Sequence, residues 1–289
     1  MIHPLIEKID LEAIAGCSTR SQLFVLRLDR EDPVTGGNKS YKLKYNLEAA
    51  RKSGTNNLLT FGGAWSNHIA ATARLGKQSG FKTIGIIRGE DTGNTTLLRA
   101  KRDGMELHFV SRSQYKLRNN PDYLSELSEQ FNVPMIIPEG GSNDLGIKGC
   151  TEILGAGAEI FDIVTVACGT GATISGLIQS APPESRLIGF SALHDRGSIA
   201  RFVTGHVTVR NARWEINSDY AFGGFARTSP ALEHFIRDFR EITKIRIEPV
   251  YTGKLFFGIC DLVRLKAIPE GSVILAVHTG GLQYLDPPD

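Results

Sequence analysis

"DIVTVACGTGATISG", residues 162–176, is the stretch on which the fold turns. Asp162 to Ala167 form a short apolar-rich run that reads as a buried strand. Gly169 and Gly171 follow, and Ala172 opens a stretch with helical character. A strand that passes through a glycine turn into a helix is half of a βαβ unit. The glycines let backbone N–H groups turn toward one point, and the next helix adds its positive N-terminal end. That combination binds a phosphate, with Thr170 and Thr173 as extra hydroxyl donors. The same residues would also make a tight βα turn with no ligand. No Lys-Ser/Thr follows, so this is not a P-loop, and it is not a full G-x-G-x-x-G in a first βα unit.

The pattern repeats along the chain. Further strands are expected at "LFVLRL" from Leu23, "NLLTF" from Asn57, "TIGII" from Thr83, "ELHFV" from Glu106, "PMII" from Pro134, "RLIGF" from Arg186 and "SVILAV" from Ser272. Amphipathic stretches lie between them. Leu43, Leu47 and Ala50 share one helical face; Leu232, Phe235, Ile236 and Phe239 share another. The expectation is an α/β protein with mostly parallel sheets and flanking helices. Glycine-rich pieces fall at strand ends: "GGNK", "GGAWSNH", "PEGGSNDLG", "CGTGAT" and "HTGG". Ligands of open α/β sheets bind at the carboxyl ends of strands, so five such loops point to one shared site.

The chain has 289 residues, 41% of them hydrophobic, with 33 basic against 31 acidic side chains. A formal charge of +2, with the basic residues dispersed, leaves no footprint for nucleic acid or a membrane surface. Cys17, Cys150, Cys168 and Cys260 show no CxxC spacing, so neither a zinc site nor a disulfide framework is expected. Charges run through "MIHPLIEKIDLEAI", which does not read as a signal peptide, and the longest apolar runs are too short to span a bilayer. The expectation is a cytosolic protein with free thiols.

Two more loops could carry chemistry. In "FGGAWSNHIAATA" a strand ends at Gly62 and Gly63, and Ser66, Asn67 and His68 stand at a helix start. Ser66 or Asn67 is a plausible N-cap, and that could be all they do. Alternatively, helix N–H groups and polar side chains converge there on a carboxylate. In "GGNKSYKLKYN", residues 36–46, Lys39 directly follows Gly-Gly-Asn. It reads either as a surface lysine or as a reactive amine placed beside a cofactor. Lys42 and Lys44 lie further along the helix and have no such argument.

Taken together these motifs resemble the pyridoxal-phosphate (PLP) enzymes of the ACC deaminase/D-cysteine desulfhydrase family, where ACC is 1-aminocyclopropane-1-carboxylate. The resemblance runs from "LDREDPVTGGNKSYKLKYNL" to "VHTGG". It implies the tryptophan-synthase-β fold (fold type II), with PLP in a cleft between two domains. The larger, PLP-binding domain would comprise 1–40 and 148–289, and the smaller 41–147. It implies that Lys39 forms the Schiff base with PLP. Ser66, Asn67 and His68 would bind the substrate carboxylate, with Asn67 also beside the cofactor. Gly169, Thr170, Gly171, Ala172 and Thr173 would hold the phosphate. Tyr251 would sit by the cofactor as an acid or base, with Ser66 also in a catalytic role. A homodimer and a small amino-acid substrate are implied, and no metal. The chain departs from the family by being shorter after Phe190, and by Phe225 in place of a tyrosine.

The reaction turns on one position. In ACC deaminases a glutamate follows the Val-Tyr pair and faces the pyridine nitrogen, which strengthens the electron sink. Here Thr252 stands at that position, and Thr279 is a second hydroxyl that could face the nitrogen. A weaker sink is adequate for α,β-elimination, so the expected activity is that of a D-cysteine desulfhydrase, giving pyruvate, ammonia and hydrogen sulfide. The alternatives are an ACC deaminase, another PLP elimination or racemisation on D-serine or a β-chloro amino acid, and a non-catalytic PLP- or nucleotide-binding protein.

Overall fold

The computed structural model describes residues 5–30, 37–155, 157–194, 196–208 and 213–282; Gly36, the first glycine of "GGNK", lies outside them. Within that set the chain forms two compact units. One holds residues 5–30, 37–38 and 150–282, the other residues 39–149. The chain therefore changes unit at the Asn38–Lys39 peptide bond and again at Gly149–Cys150, where the sequence placed the changes after residues 40 and 147.

The first unit is built on a six-stranded sheet. Its strands are β1 (Leu5–Ile9), β2 (Gln22–Arg27), β7 (Ile163–Cys168), β8 (Arg186–Ser191), β9 (Arg213–Asn217) and β10 (Val273–His278), in the order β1-β2-β10-β7-β8-β9. All neighbours are parallel except β1, which runs antiparallel to β2. The second unit has a four-stranded parallel sheet of β3 (Asn57–Gly63), β4 (Lys82–Arg88), β5 (Glu106–Val110) and β6 (Ile136–Ile137), in the order β5-β4-β3-β6. This is the expected α/β architecture of two mostly parallel sheets with flanking helices.

The sequence explains where each strand lies. Every residue of β7 is buried, as a central parallel strand covered on both faces requires. Helix Ala172–Ser180 behind it is buried from Ala172 through Ile178, so it is a core helix rather than an amphipathic one. Phe239 and Phe256 pack in the same core with their rings tilted, centroids 4.6 Å apart. In the second unit Leu43, Leu47 and Ala50 of helix Asn38–Lys52 pack against Leu58, Ala71 and Ile137, the face read from their spacing.

Three elements differ from expectation. β1 and β9, at the two edges of the larger sheet, were not anticipated. Both are half-solvated and charged, so they lack the apolar run that marks a central strand. "PMII" shrinks to Ile136–Ile137, because Pro134 and Pro138 bracket it and proline cannot donate to a ladder.

Candidate active site

Lys39 is the second residue of helix Asn38–Lys52, and the residues before it are fixed within the first unit. Gly37 pairs in an isolated antiparallel bridge with Gly280. Its N–H donates to Leu28 O at 2.8 Å, and Asn38 N–H donates to Thr279 O at 3.3 Å. Gly37 has φ +91°, and a Cβ there would overlap the Thr279 carbonyl; only glycine fits. The "GGNK" and "HTGG" loops are thus one structure, with the lysine at its exit. The Asn38 side chain, itself buried, donates to Thr173 Oγ1 at 2.8 Å. That bond joins the residue before Lys39 to the glycine loop after β7.

The loop has the form expected of an anion site. Gly171 is the N-cap of helix Ala172–Ser180, in the left-handed region, and no side chain caps the helix. Its first N–H groups are therefore left for another acceptor. Thr173 receives the Asn38 amide on its oxygen and keeps its own hydrogen to donate. Tyr251 closes one side. A Cβ added to Gly169 would stand 3.2 Å from Tyr251 Cε1 and 3.3 Å from its hydroxyl. Phe225 packs edge-on against the Tyr251 ring, centroids 6.1 Å apart.

What holds Tyr251 was not foreseen. Glu248, fully buried, turns its carboxylate onto the start of helix Thr252–Arg264. It accepts from Val250 N at 2.6 Å, Tyr251 N at 2.8 Å, Thr252 N at 2.6 Å and Thr252 Oγ1 at 3.1 Å. Thr252 Oγ1 in turn accepts from Glu248 N at 3.0 Å. The Thr252 hydroxyl is committed at both ends, as part of a helix cap. An acidic residue a few positions before a helix start was the signal that would have found Glu248.

In the second unit, Ser66 is the N-cap of helix Asn67–Gln78 and accepts from Ile69 N at 3.3 Å. The cap uses a lone pair and leaves the Ser66 O–H to donate. Asn67 begins the helix and His68 is buried behind it. Thr60 Oγ1 donates its single hydrogen to Ile137 O at 2.8 Å. The 2.8 Å contact between Thr60 Oγ1 and His68 Nε2 must therefore carry the hydrogen of His68. This fixes the tautomer: Nε2 is protonated and Nδ1 is a bare lone pair, buried and without a hydrogen-bond partner. Burial, then the charges of Lys39 and Lys42, hold the His68 pKa well below 6.5, so the ring is neutral at pH 7. It can accept from a donor but has no hydrogen to give a carboxylate; side-chain donors in this loop are the Ser66 O–H and the Asn67 amide.

Lys42, for which the sequence offers no functional argument, is buried. Its stem lies along Gly141, whose added Cβ would stand 3.2 Å from Lys42 Cβ and 3.5 Å from His68 Cε1. The "PEGGSNDLG" segment is the scaffold for this helix. Asn143 and Asn46 exchange side-chain hydrogen bonds at 2.8 and 3.2 Å. Gly149 lies so close to the Tyr41 carbonyl that a Cβ there would overlap it.

The uncapped helix and the Gly169 cradle against Tyr251 suit the phosphate of a pyridoxal cofactor. Comparison with known proteins agrees. The family model for pyridoxal-phosphate dependent enzymes matches residues 3–280, and the chain belongs to that family. It is 30% identical to the mitochondrial bifunctional D-cysteine desulfhydrase/1-aminocyclopropane-1-carboxylate deaminase of Arabidopsis thaliana, over 93% of this chain and 74% of that one. It is 27% identical to the D-cysteine desulfhydrase of Klebsiella pneumoniae, over 91% and 88%. A solved ACC deaminase homologue superposes with a TM-score of 0.80 at 26% identity, covering 98% of this chain and 90% of that one. The chain is therefore a PLP-dependent enzyme of fold type II. Among the described residues no helix is long and apolar enough to cross a membrane.

Proposed function

We propose that this enzyme is a lyase that eliminates across Cα and Cβ of a small amino acid, as a D-cysteine desulfhydrase does. D-Cysteine and one water would yield pyruvate, ammonia and hydrogen sulfide. The observation that carries the reading is the Asn38–Thr173 bond: Lys39 is one peptide bond from a residue held on the phosphate-type loop.

Lys39 would carry PLP, with Gly169, Thr170, Gly171, Ala172 and Thr173 at its phosphate. When bound, PLP supplies the electron sink for breaking bonds at Cα. Lys39 Nζ would then take the Cα proton. Ser66 and Asn67 would orient the substrate carboxylate, and His68 Nδ1 would accept from a donor on the substrate side. Tyr251 would move a proton at the substrate. A neutral Thr252 after the tyrosine supports elimination over cyclopropane opening. Glu248 does place a carboxylate nearby, but its oxygens are turned to backbone N–H groups and the Thr252 hydroxyl. With Thr252 so engaged, Thr279 is the hydroxyl assigned to the pyridine nitrogen.

The names of two relatives include D-cysteine desulfhydrase, which supports the substrate class. A homodimer in the cytosol belongs to the same reading; the four cysteines are all free, in keeping with a reducing compartment. The test is keto-acid release from PLP-loaded protein offered D-cysteine, L-cysteine, D-serine and ACC. Pyruvate and sulfide from D-cysteine are expected. Efficient ACC cleavage with no release from D-cysteine would overturn the reading.

A further inference from the structure

Lys254 has no part in the chemistry described so far, yet it is one of the most completely buried side chains in the protein, at 1% exposure. It lies one helical turn after Tyr251 on helix Thr252–Arg264. Its ammonium donates to three backbone carbonyls: Ala192 at 3.1 Å, Ala221 at 2.8 Å and Gly224 at 2.8 Å. Three hydrogens meet three acceptors, so the group is fully satisfied. Burial lowers its pKa from 10.5 to about 8, with Glu248 pulling the other way; at pH 7 it remains an ammonium.

The carbonyls belong to two segments next to the candidate site. Ala192 follows β8, and its N–H donates to Cys168 O at 2.9 Å, just before Gly169. Ala221 and Gly224 belong to a tight loop in which Phe222 and Ala226 hold φ of 50° and 55°, with Gly223 and Gly224 also positive. Left-handed backbone at non-glycine residues is costly and persists only where the surroundings impose it. The loop's own turn bonds, Gly224 N to Ala221 O and Arg227 N to Gly224 O, converge on the same two carbonyls. Phe225 stands at the tip, 46% exposed, with its ring edge-on to Tyr251.

We propose that Lys254 is a positioning residue: its ammonium knots the Ala192 and Ala221–Gly224 carbonyls and thereby sets where Phe225 stands against Tyr251. Phe225 in turn limits the movement of the Tyr251 ring over Gly169. That this matters to turnover rests on the role proposed for Tyr251; that it shapes the loop does not.

The test compares wild type, Lys254→Met, Phe225→Ala and the double variant. Lys254→Met keeps the stem and removes the donors. Hydrogen exchange of the cofactor-free proteins reads the loop directly. Amides of residues 218–228 should exchange at least about tenfold faster in Lys254→Met, with the strands of both sheets unchanged. Unchanged exchange in that loop would overturn the proposal whatever the activity. Pyruvate release from D-cysteine reads the consequence. Lys254→Met should lower kcat/KM about tenfold in the wild-type background and under threefold in Phe225→Ala, because the two act in series. Equal losses in both backgrounds would overturn the route through Phe225. Lys254→Gln serves if the methionine variant does not fold; failure of both to fold would make Lys254 a brace of the whole unit and overturn a local role. If wild type releases no keto acid, the functional reading fails, and the exchange experiment still decides the loop.

Discussion

Asn38 Nδ2 donates to Thr173 Oγ1 at 2.8 Å, with both residues buried. Asn38 immediately precedes Lys39 in sequence, and 135 residues separate it from the loop it touches. The peptide bond after Asn38 thus leaves from a point fixed on three sides, by Leu28 O, Thr279 O and Thr173. Removing the amide leaves the Thr173 oxygen without its donor in a buried site. Asn38→Ala should cost about 1–3 kcal/mol of stability. It should also lower kcat/KM by about tenfold or more, because a displaced lysine loses its reaction geometry. Urea midpoints and steady-state kinetics check both; an unchanged kcat/KM would remove the bond from the argument.

Lys39 and Lys42 should part company under mutation. Lys39→Ala should abolish turnover while stability moves by no more than about 0.5 kcal/mol, since a half-buried lysine contributes little packing. Lys42→Ala removes a buried stem lying along Gly141 and should cost more than about 1 kcal/mol. Turnover retained in Lys39→Ala would end its assignment as the PLP lysine.

Gly37→Ala places a methyl against the Thr279 carbonyl at a left-handed φ. Strain and overlap act together, so the loss should exceed about 2 kcal/mol. Gly16→Ala is the control: it has the same sign of φ and nothing within 4 Å, so only the backbone term of about 1 kcal/mol applies. Equal losses in a thermal melt would show that the Gly37–Thr279 approach is not constraining.

These contrasts bear on what the sequence could reveal. β7 and β10 were legible because a central parallel strand must be apolar on both faces. β1 and β9 were not, since an edge strand needs no such run. Lys39 stands out in the sequence through its Gly-Gly-Asn motif, and its role rests on that motif. Lys42, Lys254 and Glu248 do not stand out, because a single charged residue in a helix or loop reads as solvated surface. Only tertiary packing showed that Lys254 meets carbonyls 30 to 62 residues away. The tautomer of His68 likewise depends on Thr60 and on the carbonyl of Ile137, which no local pattern contains.

His68 gives a pH dependence with a definite sign. Its folded pKa is held well below 6.5 by burial and by the charges of Lys39 and Lys42. At neutral pH both folded and unfolded forms are uncharged, and His68 exacts no penalty. As pH falls through 6.5 the unfolded chain binds a proton that the folded one refuses, so stability falls, by up to about 1.4 kcal/mol per pH unit. His68→Gln keeps a polar side chain that does not titrate there. Chemical denaturation at pH 7.5, 6 and 5 should show a shallower decline for the variant than for wild type; parallel curves would mean that the buried ring takes up its proton.

Thr252 and Thr279 separate two readings of the cofactor's ring nitrogen. Thr252 Oγ1 donates to Glu248 Oε1 at 3.1 Å and accepts from Glu248 N at 3.0 Å, so its hydroxyl is used by the cap of its own helix. Thr252→Val loses both bonds and leaves the buried Glu248 with one donor fewer. Stability should fall by about 1–3 kcal/mol, with kcat changed less than about threefold in the surviving folded protein. Thr279 is nearly as buried, at 9% exposure, and its contact with the lysine loop is through its carbonyl, which accepts from Asn38 N. That contact survives a change of side chain. Thr279→Val should therefore fold with near wild-type stability and lower kcat for D-cysteine by about tenfold or more. Thr279→Ser should restore most of it, because the hydroxyl and not the methyl does the work. Thr279→Val should also shift the absorption of the bound PLP, a readout that Thr252→Val should leave in place. If Thr252→Val shifts the spectrum and Thr279→Val does not, the two roles are exchanged.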